Sequence, residues 1–337
     1  MKTTCLINSH NYIQFVGEAI QSALEQSFSF DEIIVVDDGS TDGSVEYLRS
    51  TFGAIERVQI LAKHQAGQLS CFNHGLRAAT GELVFFLDAD DRYDPHMLES
   101  VLPIYSQRTD IDFVSVGVEE FGGEVILKQC NPCTRDCGYS VLGTYFNRAW
   151  IGNPTSCISA RRKLLEKVLP YPDESSWQTR ADDVLVFGSS LVGGHKFHLA
   201  KKLVQYRVHQ SNHYSGQRRD VAMRMQHGLR VNQLIQWYIA AMGYDASTFG
   251  YLVSREFRTI ESPTVKELRR YLGILSRAGI HWGEGAVQRF SILRHYLRSR
   301  TSTPNRSLDA LSVSQAAALE SEIRLAKTGL PITGAAA

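Results

Sequence analysis

Residues 83–91, LVFFLDADD, form a short apolar run that ends in a cluster of aspartates. Residues 32–38, EIIVVDD, repeat this feature, with apolar, largely β-branched residues ahead of two aspartates. Consecutive apolar positions are typical of a strand that is buried on both faces, as in a parallel sheet. Residues 3–7 predict another such strand, and stretches of helical period separate the three. The alternation predicts an α/β fold, with a Rossmann-like, mostly parallel sheet flanked by helices.

Polar side chains follow each of these predicted strands. His10 follows the first strand, Asp38 ends the second, and Asp88 and Asp90 end the third. Ligands bind beyond the carboxyl ends of the strands in open parallel sheets, so we expect these residues to converge on one nucleotide-sized cleft. Carboxylates at alternate positions of an extended chain point the same way, and such hard ligands bind Mg²⁺ or Mn²⁺ together with substrate phosphates. A solvated acidic turn ahead of the next helix is the alternative.

The composition excludes several classes of protein. Of 337 residues, 43% are hydrophobic and 21% are charged, which excludes a largely disordered chain. The net charge of +1 gives no reason to expect a nucleic-acid partner. Six cysteines are too few for a disulfide scaffold, and no apolar stretch approaches the roughly 20 residues of a membrane-spanning helix. The N-terminal residues lack a secretory pattern, so we expect a cytoplasmic protein.

Three stretches in a fixed order resemble the family 2 glycosyltransferases, which are nucleotide-sugar-dependent enzymes of the A-type glycosyltransferase fold. They are VVDDGSTDGS (35–44), HQAGQLSCFNHGLRAATGELVFFLDADD (64–91) and RADDVLVFGSSLVGGHKFHLAKKLVQYRVHQSN (180–212). The resemblance covers about residues 2–214. It implies an inverting transfer from a nucleotide-sugar, with a UDP-sugar expected, to a hydroxyl of a glycan or lipid-linked saccharide, as in cell-surface polysaccharide synthesis. It also implies Mn²⁺ or Mg²⁺ as the cofactor.

The resemblance implies roles for residues along the cleft. The expected nucleotide-sugar-binding residues are Asn8, His10, Asp38, Asn73, Asp88 and Asp90. Among these, Asp38 is expected at the base and Asp88 near the ribose. Asp90 is expected to ligate the metal, with Asp88 and His209 as further ligands. Gln68 lies on the same predicted helix as Asn73 and is a weaker candidate for the cleft.

A second acidic pair is Asp182-Asp183, where the family has a Glu-Asp pair at the start of a helix. By position Asp183 is the expected catalytic base, and Asp182 is the alternative. A carboxylate within hydrogen-bond reach of an acceptor hydroxyl can take its proton as attack proceeds, and a single base suffices for an inverting reaction. Taken without the resemblance, the pair is also explained as favourable charge at a helix N-terminus.

Two other functions remain open for this sequence. A sugar-phosphate nucleotidyltransferase uses a related sheet, but it should carry a Gly-rich phosphate loop after the first strand, where this chain has Asn8-Ser9-His10-Asn11. The family commonly has a Pro or Thr-x-Tyr pattern at this point, so this segment gives no separate support to the expected specificity for uridine. A catalytically inactive nucleotide-sugar-binding module is the other alternative, and the presence of Asp182 and Asp183 argues against it.

Charge is distributed unevenly along the chain. The net charge is −7 over residues 1–214, +9 over 215–306 and −1 over 307–337. This asymmetry predicts two functional regions with different partners. The resemblance implies that the first is a catalytic domain over 1–214, with a nucleotide-sugar half to about 116 and an acceptor half after it. A basic helical extension over 215–306 and a short helix with a flexible tail over 307–337 should follow.

Two features of the sequence allow both a functional and a structural interpretation. The basic extension could make a peripheral contact with the inner membrane face, or it could form a homodimer interface. Cys130, Cys133 and Cys137 have a spacing that suggests zinc, but no second ligand pair is present, which favours free thiols.

Overall fold

The computed structural model describes residues 1–123, 133–209 and 220–301. Cys130, the first residues of the basic extension and the predicted tail over 307–337 lie outside these ranges. Across the described ranges a single mixed sheet holds nine strands. They are β1 (Thr3–Ser9), β2 (Glu32–Asp37), β3 (Val58–Ala62), β4 (Leu83–Asp88), β5 (Arg92–Tyr93), β6 (Phe113–Phe121), β7 (Arg135–Gly138), β8 (Ile158–Arg161) and β9 (Lys196–Arg207).

Helices connect the strands and then follow them. The helices before β9 are α1 (Ile13–Leu24), α2 (Ser44–Phe52), α3 (Gln68–Ala78), α4 (Met97–Gln107), α5 (Val141–Asn147), α6 (Arg162–Val168) and α7 (Asp182–Leu191). Those after it are α8 (Val221–Ala241), α9 (Val253–Phe257), α10 (Val265–Arg277) and α11 (Trp282–Thr301). Three short 3₁₀ segments lie at Thr155–Cys157, Ser175–Trp177 and Ala246–Leu252.

The sheet brings the carboxyl ends of the first strands together. Its order is β3-β2-β1-β4-β8-β6-β9-β5, with β7 also paired to β9. The strands β1 to β4 pair in parallel, whereas β8 is antiparallel to both β4 and β6. The register sets Asn8 of β1 beside Asp88 of β4, and Ser9 beside Asp37 of β2. Polar strand ends therefore meet at one edge, as the sequence predicts.

Each face of the sheet carries its own hydrophobic core. Along β1, Leu6 enters one core while Cys5 and Ile7 enter the other, because successive side chains of a strand point to opposite faces. The core around Ile7 is covered by α1, α2 and α4. The core around Leu6 is covered by α3 and α5 to α11, so the helices after β9 share a core with the sheet.

A buried carboxylate joins the C-terminal helices to the rest of the fold. Glu256 of α9 accepts hydrogen bonds from the backbone N–H groups of Leu142 (2.8 Å) and Gly143 (2.9 Å), at the start of α5. The hydroxyl of Tyr271 in α10 donates a third bond to it, at 2.7 Å. Burial raises the pKa of Glu256, and these donors oppose that shift. The contact ties three helices of the described chain together.

The structure differs from the predicted elements in three places. The pair Asp94-Pro95 predicts the N-cap and the first position of a helix over 95–107, but the helix begins at Met97, because Asp94 turns the chain by accepting bonds from the N–H groups of His96 and Met97. The sequence pattern predicts two closing strands over 196–199 and 203–208, whereas the structure has one strand, β9, whose pairing with β6 is irregular around Gly117. Val221, Met225 and Leu229 have the spacing of an amphipathic helix face, but in α8 these residues are exposed.

Candidate active site

The acidic turn after β4 begins with Asp88, which lies half-buried at the end of the strand. The side-chain N–H of Gln68 donates a bond of 2.9 Å to Asp88 Oδ1. Burial, followed by the charge of Asp90, raises the pKa of Asp88 to about 7. Beside it, the Oδ1 atom of Asn8 is buried and has no hydrogen-bond partner among the described residues. A buried polar atom of this kind is unsatisfied unless a ligand or water reaches it.

Asp90 meets His209 across the cleft. Asp90 Oδ2 and His209 Nε2 are 3.0 Å apart, and both side chains are nearly buried. The ring of Phe15 lies 4.8 Å from the imidazole, measured between centroids, and the ring of Tyr12 lies edge-on to it at 5.9 Å. The structure thus brings together two of the three predicted metal ligands, with the third, Asp88, two residues from Asp90 on the same turn.

Asp91 has a structural role in the same turn. Its carboxylate accepts bonds from the hydroxyl of Ser156 (2.5 Å) and from the backbone N–H of Arg207 (2.9 Å). Burial is the main cause that raises its pKa, with the charges of Asp90 and Asp88 adding to it. Asp91 therefore anchors the end of β9 and the 3₁₀ segment at 155–157 beneath the two aspartates that face the cleft.

The predicted nucleoside side is assembled from two loops. His10 Nδ1 donates to the carbonyl of Asp38 at 3.0 Å, since a carbonyl can only accept. The Asp38 carboxylate accepts bonds from the N–H groups of Ala66 (2.9 Å) and Gly67 (2.7 Å), and it pairs with Lys63. The carboxylate expected at the base therefore holds the β3–α3 loop in this conformation, and its contact with a nucleoside stays a prediction.

The helix α3 brings Gln68, rather than Asn73, to the acidic turn. Asn73 is buried, and its amide donates to Glu174 Oε1 (2.6 Å) and to the carbonyl of Tyr171 (3.3 Å). It touches none of the other predicted site residues. Gln68, in the first turn, donates to Asp88 and also accepts a bond of 2.9 Å from the N–H of Ala181.

The first turn of α7 holds the second acidic pair, and its members face different neighbours. Asp182 is half-buried, and burial and the charge of Asp183 raise its pKa to about 7. Asp182 follows Ala181, whose N–H donates to Gln68, and Gln68 in turn donates to Asp88, so this end of α7 lies beside the acidic turn. Asp183 is 1% exposed and pairs with Arg180 (2.9 Å) and with His227 of α8 (2.7 Å).

Four contributors to this site carry little signal in the sequence. Lys63 lies in a loop, Gln68 and Arg180 lie at helix starts, and His227 lies in the basic extension. Lys63 and His227 act through partners that lie 25 and 44 positions away in the chain. The resemblance indicated Gln68 as a weaker candidate, on the same helix as Asn73. For His227 no motif was available, because it lies beyond the stretch that carries the resemblance.

The donor set fits a divalent cation held together with substrate phosphates. No group of three His, Cys, Asp or Glu side chains within the described ranges is arranged to hold a metal by itself. Mg²⁺ and Mn²⁺ are commonly held by one or two carboxylates plus phosphate oxygens, so a complete protein cage is not required. The mutual charge of Asp88 and Asp90 and the orphaned Asn8 oxygen beside them are consistent with such a ligand.

The described cysteines give no support to a zinc site. Cys133 is exposed and Cys137 is buried, and both are free thiols, while Cys157 is buried. Burial raises the pKa of Cys137 to about 11, which disfavours the thiolate that zinc requires. Cys130 lies outside the described residues. In the same ranges, no helix is both long and apolar enough to cross a bilayer.

Comparisons with known proteins identify the family. The sequence profile of the family "Glycosyl transferase family 2" matches residues 4–169. An uncharacterized glycosyltransferase of Nostoc sp. is 32% identical over 256 residues, which cover 73% of this chain and 78% of that protein. The putative teichuronic acid biosynthesis glycosyltransferase TuaG of Bacillus subtilis is 32% identical over 102 residues, covering 30% of this chain and 40% of TuaG.

A solved structure shares the fold. The S. aureus TarS fragment 1–349, crystallised in complex with UDP-GlcNAc, superposes with a TM-score of 0.57 at 16% identity, covering 90% of this chain and 91% of the fragment. This likeness supports the expected A-type architecture with C-terminal helices. The extended match to the Nostoc protein, together with the family profile, establishes that the chain is a nucleotide-sugar-dependent glycosyltransferase and belongs to glycosyl transferase family 2.

Proposed function

We propose that this glycosyltransferase moves a sugar from a UDP-sugar to a hydroxyl of a glycan or lipid-linked saccharide, with inversion at the anomeric carbon and with Mn²⁺ or Mg²⁺. One observation carries the proposal: Gln68 joins Asp88, on the donor side, to the backbone at Ala181, next to Asp182. Groups suited to a metal diphosphate and a candidate base thus line one cleft.

The donor side is assigned to Asp88, Asp90 and His209, which would hold the cation. The bound cation would neutralise charge on the leaving diphosphate. Asn8 offers its buried, unpartnered oxygen beside Asp88, and His10 is held against the backbone carbonyl of Asp38. The solved TarS complex contains UDP-GlcNAc, which makes UDP the first nucleotide to test.

Asp182 is the member of the acidic pair that we assign as the catalytic base. A base must reach the acceptor hydroxyl and must be ionised when it acts. Asp182 is half-buried and has a pKa near neutrality, whereas Asp183 is buried and committed to Arg180 and His227. Asp182 takes the acceptor proton while the acceptor oxygen attacks the face opposite the diphosphate, so inversion needs no covalent intermediate.

Two observations support the proposed class of acceptor, namely the similarity to TuaG and the surface of the C-terminal helices. Val287, Phe290 and Leu297 of α11 are each more than 60% exposed, and Arg289 and Arg294 lie among them. Apolar side chains flanked by arginines suit the surface of an anionic membrane, where a lipid-linked saccharide would be presented. We therefore assign the enzyme to the inner membrane face in cell-surface polysaccharide synthesis, with a homodimer through the same face as the competing arrangement.

Calorimetric titration tests the donor assignment. The protein is titrated with UDP, GDP and dTDP, each with and without Mn²⁺, alongside the Asp90→Asn variant. We expect UDP to bind with an affinity that depends on Mn²⁺, and we expect this dependence to disappear in the variant. If none of the three nucleotides binds the folded protein, the proposed function is wrong and an inactive module is favoured.

A further inference from the structure

The basic C-terminal extension supplies a side chain to the acidic pair at the start of α7. His227 lies in the second turn of α8, and its Nε2 atom is 2.7 Å from Asp183 Oδ2. Because an ionised carboxylate can only accept, the hydrogen in this bond is carried by His227. The two residues are 44 positions apart, and α8 lies beyond the residues that match the family profile.

Asp183 is held from two sides. Arg180 Nη2 lies 2.9 Å from the same carboxylate, which is 1% exposed. A buried carboxylate is costly unless it is paired and hydrogen-bonded, so both partners are needed to keep it in place. Arg180 itself has a φ of +63°, a left-handed conformation that costs energy in a residue other than glycine. The strained backbone conformation of Arg180 therefore brings its guanidinium group to Asp183.

The orientation of Asp183 determines that of its neighbour. Successive side chains on an α-helix point in directions about 100° apart. With Asp183 held against α8, Asp182 is turned to the side of the cleft, where Gln68 links the backbone of the preceding residue, Ala181, to Asp88. If Asp183 were released, the first turn of α7 would lose the contact that defines this rotation.

We propose that His227 is a positioning residue of the transfer reaction, which holds Asp183 against α8 and thereby orients Asp182 toward the acceptor hydroxyl. This inference rests on the proposed function and deepens it, because it makes α8 part of the catalytic unit. The packing nearby agrees with this role. Trp177 lies edge-on to the His227 ring at 6.4 Å, and Arg230 of α8 donates to the carbonyl of Ser176 at 2.8 Å.

The test compares three variants of the full chain. His227→Ala removes the hydrogen bond, His227→Gln keeps an N–H donor, and Gln226→Ala alters an exposed neighbour on the same helix as the matched control. For each we would measure UDP affinity with Mn²⁺ by calorimetry and the thermal midpoint of unfolding. We would also measure the release of nucleoside diphosphate from the UDP-, GDP- or dTDP-sugar that the wild type turns over, with water as the acceptor.

We expect turnover to fall about 10- to 100-fold in His227→Ala, the range typical when a group that orients a functional side chain is removed. Nucleotide affinity should be unchanged, since the donor side is not altered. His227→Gln should recover most of the lost turnover because its amide can still donate to Asp183. Gln226→Ala should match the wild type in all three measurements.

A second measurement examines the contact without any substrate. In protein labelled with ¹⁵N-histidine, the wild type should show a slowly exchanging Nε2 proton from His227. That signal should be absent in His227→Gln and shifted in Asp183→Asn. If no such signal exists in the wild type, the inference is overturned.

The outcomes separate this inference from the function on which it rests. Full turnover in His227→Ala would overturn the positioning role alone. Equal losses of affinity, turnover and thermal midpoint in both His227 variants would show a purely structural contact and would also overturn it. A wild type that neither binds a nucleotide nor releases one from any donor would overturn the proposed function itself.

Discussion

The side chain of Gln68 donates a hydrogen bond of 2.9 Å to Asp88 Oδ1. The other end of the same amide accepts a bond of 2.9 Å from the N–H of Ala181, the residue before α7. One amide therefore spans the cleft from the proposed metal site to the proposed base. Because its two ends bind groups from different parts of the fold, its removal should affect both sides.

We expect Gln68→Ala to weaken Mn²⁺-dependent UDP binding by roughly five- to thirtyfold. This is the effect of losing about 1–2 kcal/mol when a buried hydrogen-bonding partner is removed. Calorimetry measures it, and Gln59→Ala, on the exposed side of β3, is the control. Unchanged affinity would show that Gln68 does not organise the donor side.

Asp90 and Asp91 are adjacent, yet their replacement should produce different defects. Asp90→Asn should remove the Mn²⁺ dependence of nucleotide binding with little change in the thermal midpoint. Asp91→Asn should instead lower the thermal midpoint, because Asp91 is buried against Ser156 and the backbone of Arg207. Calorimetry and thermal unfolding are measured for both variants. If Asp91→Asn removes the Mn²⁺ dependence and Asp90→Asn lowers the thermal midpoint, the roles of the two residues are exchanged.

Asp182→Asn should abolish transfer while sparing nucleotide binding, since an amide cannot take the acceptor proton. Asp183→Asn should keep part of the turnover and should lower the thermal midpoint, because it weakens the buried pairing with Arg180 and His227. Turnover and UDP affinity are measured for both variants. If Asp183→Asn loses all turnover and Asp182→Asn keeps it, the base is Asp183.

Turnover should fall as the pH is lowered through the pKa of Asp182. A base works only when deprotonated, and burial and Asp183 raise this pKa to about 7. A cation bound nearby would favour the carboxylate and lower the pKa, so the acidic limb of the profile should lie at or below about pH 7. The pH dependence of turnover at saturating donor measures it, and a flat profile between pH 5 and about 8 would contradict it.

Glu256→Ala should lower the free energy of unfolding by about 3 kcal/mol, because it leaves the buried donors of α5 and Tyr271 without an acceptor. Urea denaturation measures the change, with Glu261→Ala at an exposed position as the control. A change equal to that of the control would mean that the Glu256 contact does not help to hold the C-terminal helices in place.

Replacing Phe290 and Leu297 with serine should remove binding to anionic vesicles if α11 contacts a membrane. Flotation with phosphatidylglycerol and with phosphatidylcholine vesicles measures it, and the arginines predict a preference for the former. If the wild type floats with neither and the substitutions instead change its oligomeric state in solution, the face is a dimer interface.

Much of the fold follows from local pattern. Apolar runs such as residues 83–87 predict buried strands. The aspartates after these runs indicate the position of the cleft, because parallel strands end at one edge of the sheet. Where the prediction was wrong, longer-range contacts decided the structure. The pairing of β9 with β6 continued through a stretch that the sequence divided in two, and Val221, Met225 and Leu229 gained no core to pack against.

The sequence alone indicated the candidate residues for the chemistry, since the acidic strand ends and the pair at 182–183 are visible without coordinates. Tertiary contacts fix the neighbours that each of these side chains faces. The sequence pattern favoured Asp183 of the adjacent pair Asp182-Asp183, whereas the structure commits Asp183 to Arg180 and to His227, which lies 44 residues away. Likewise, Gln68 rather than Asn73 reaches the cleft through a bond to a backbone group 113 residues away. Local propensity cannot encode such choices, because they depend on the packing of helices that are distant in the chain.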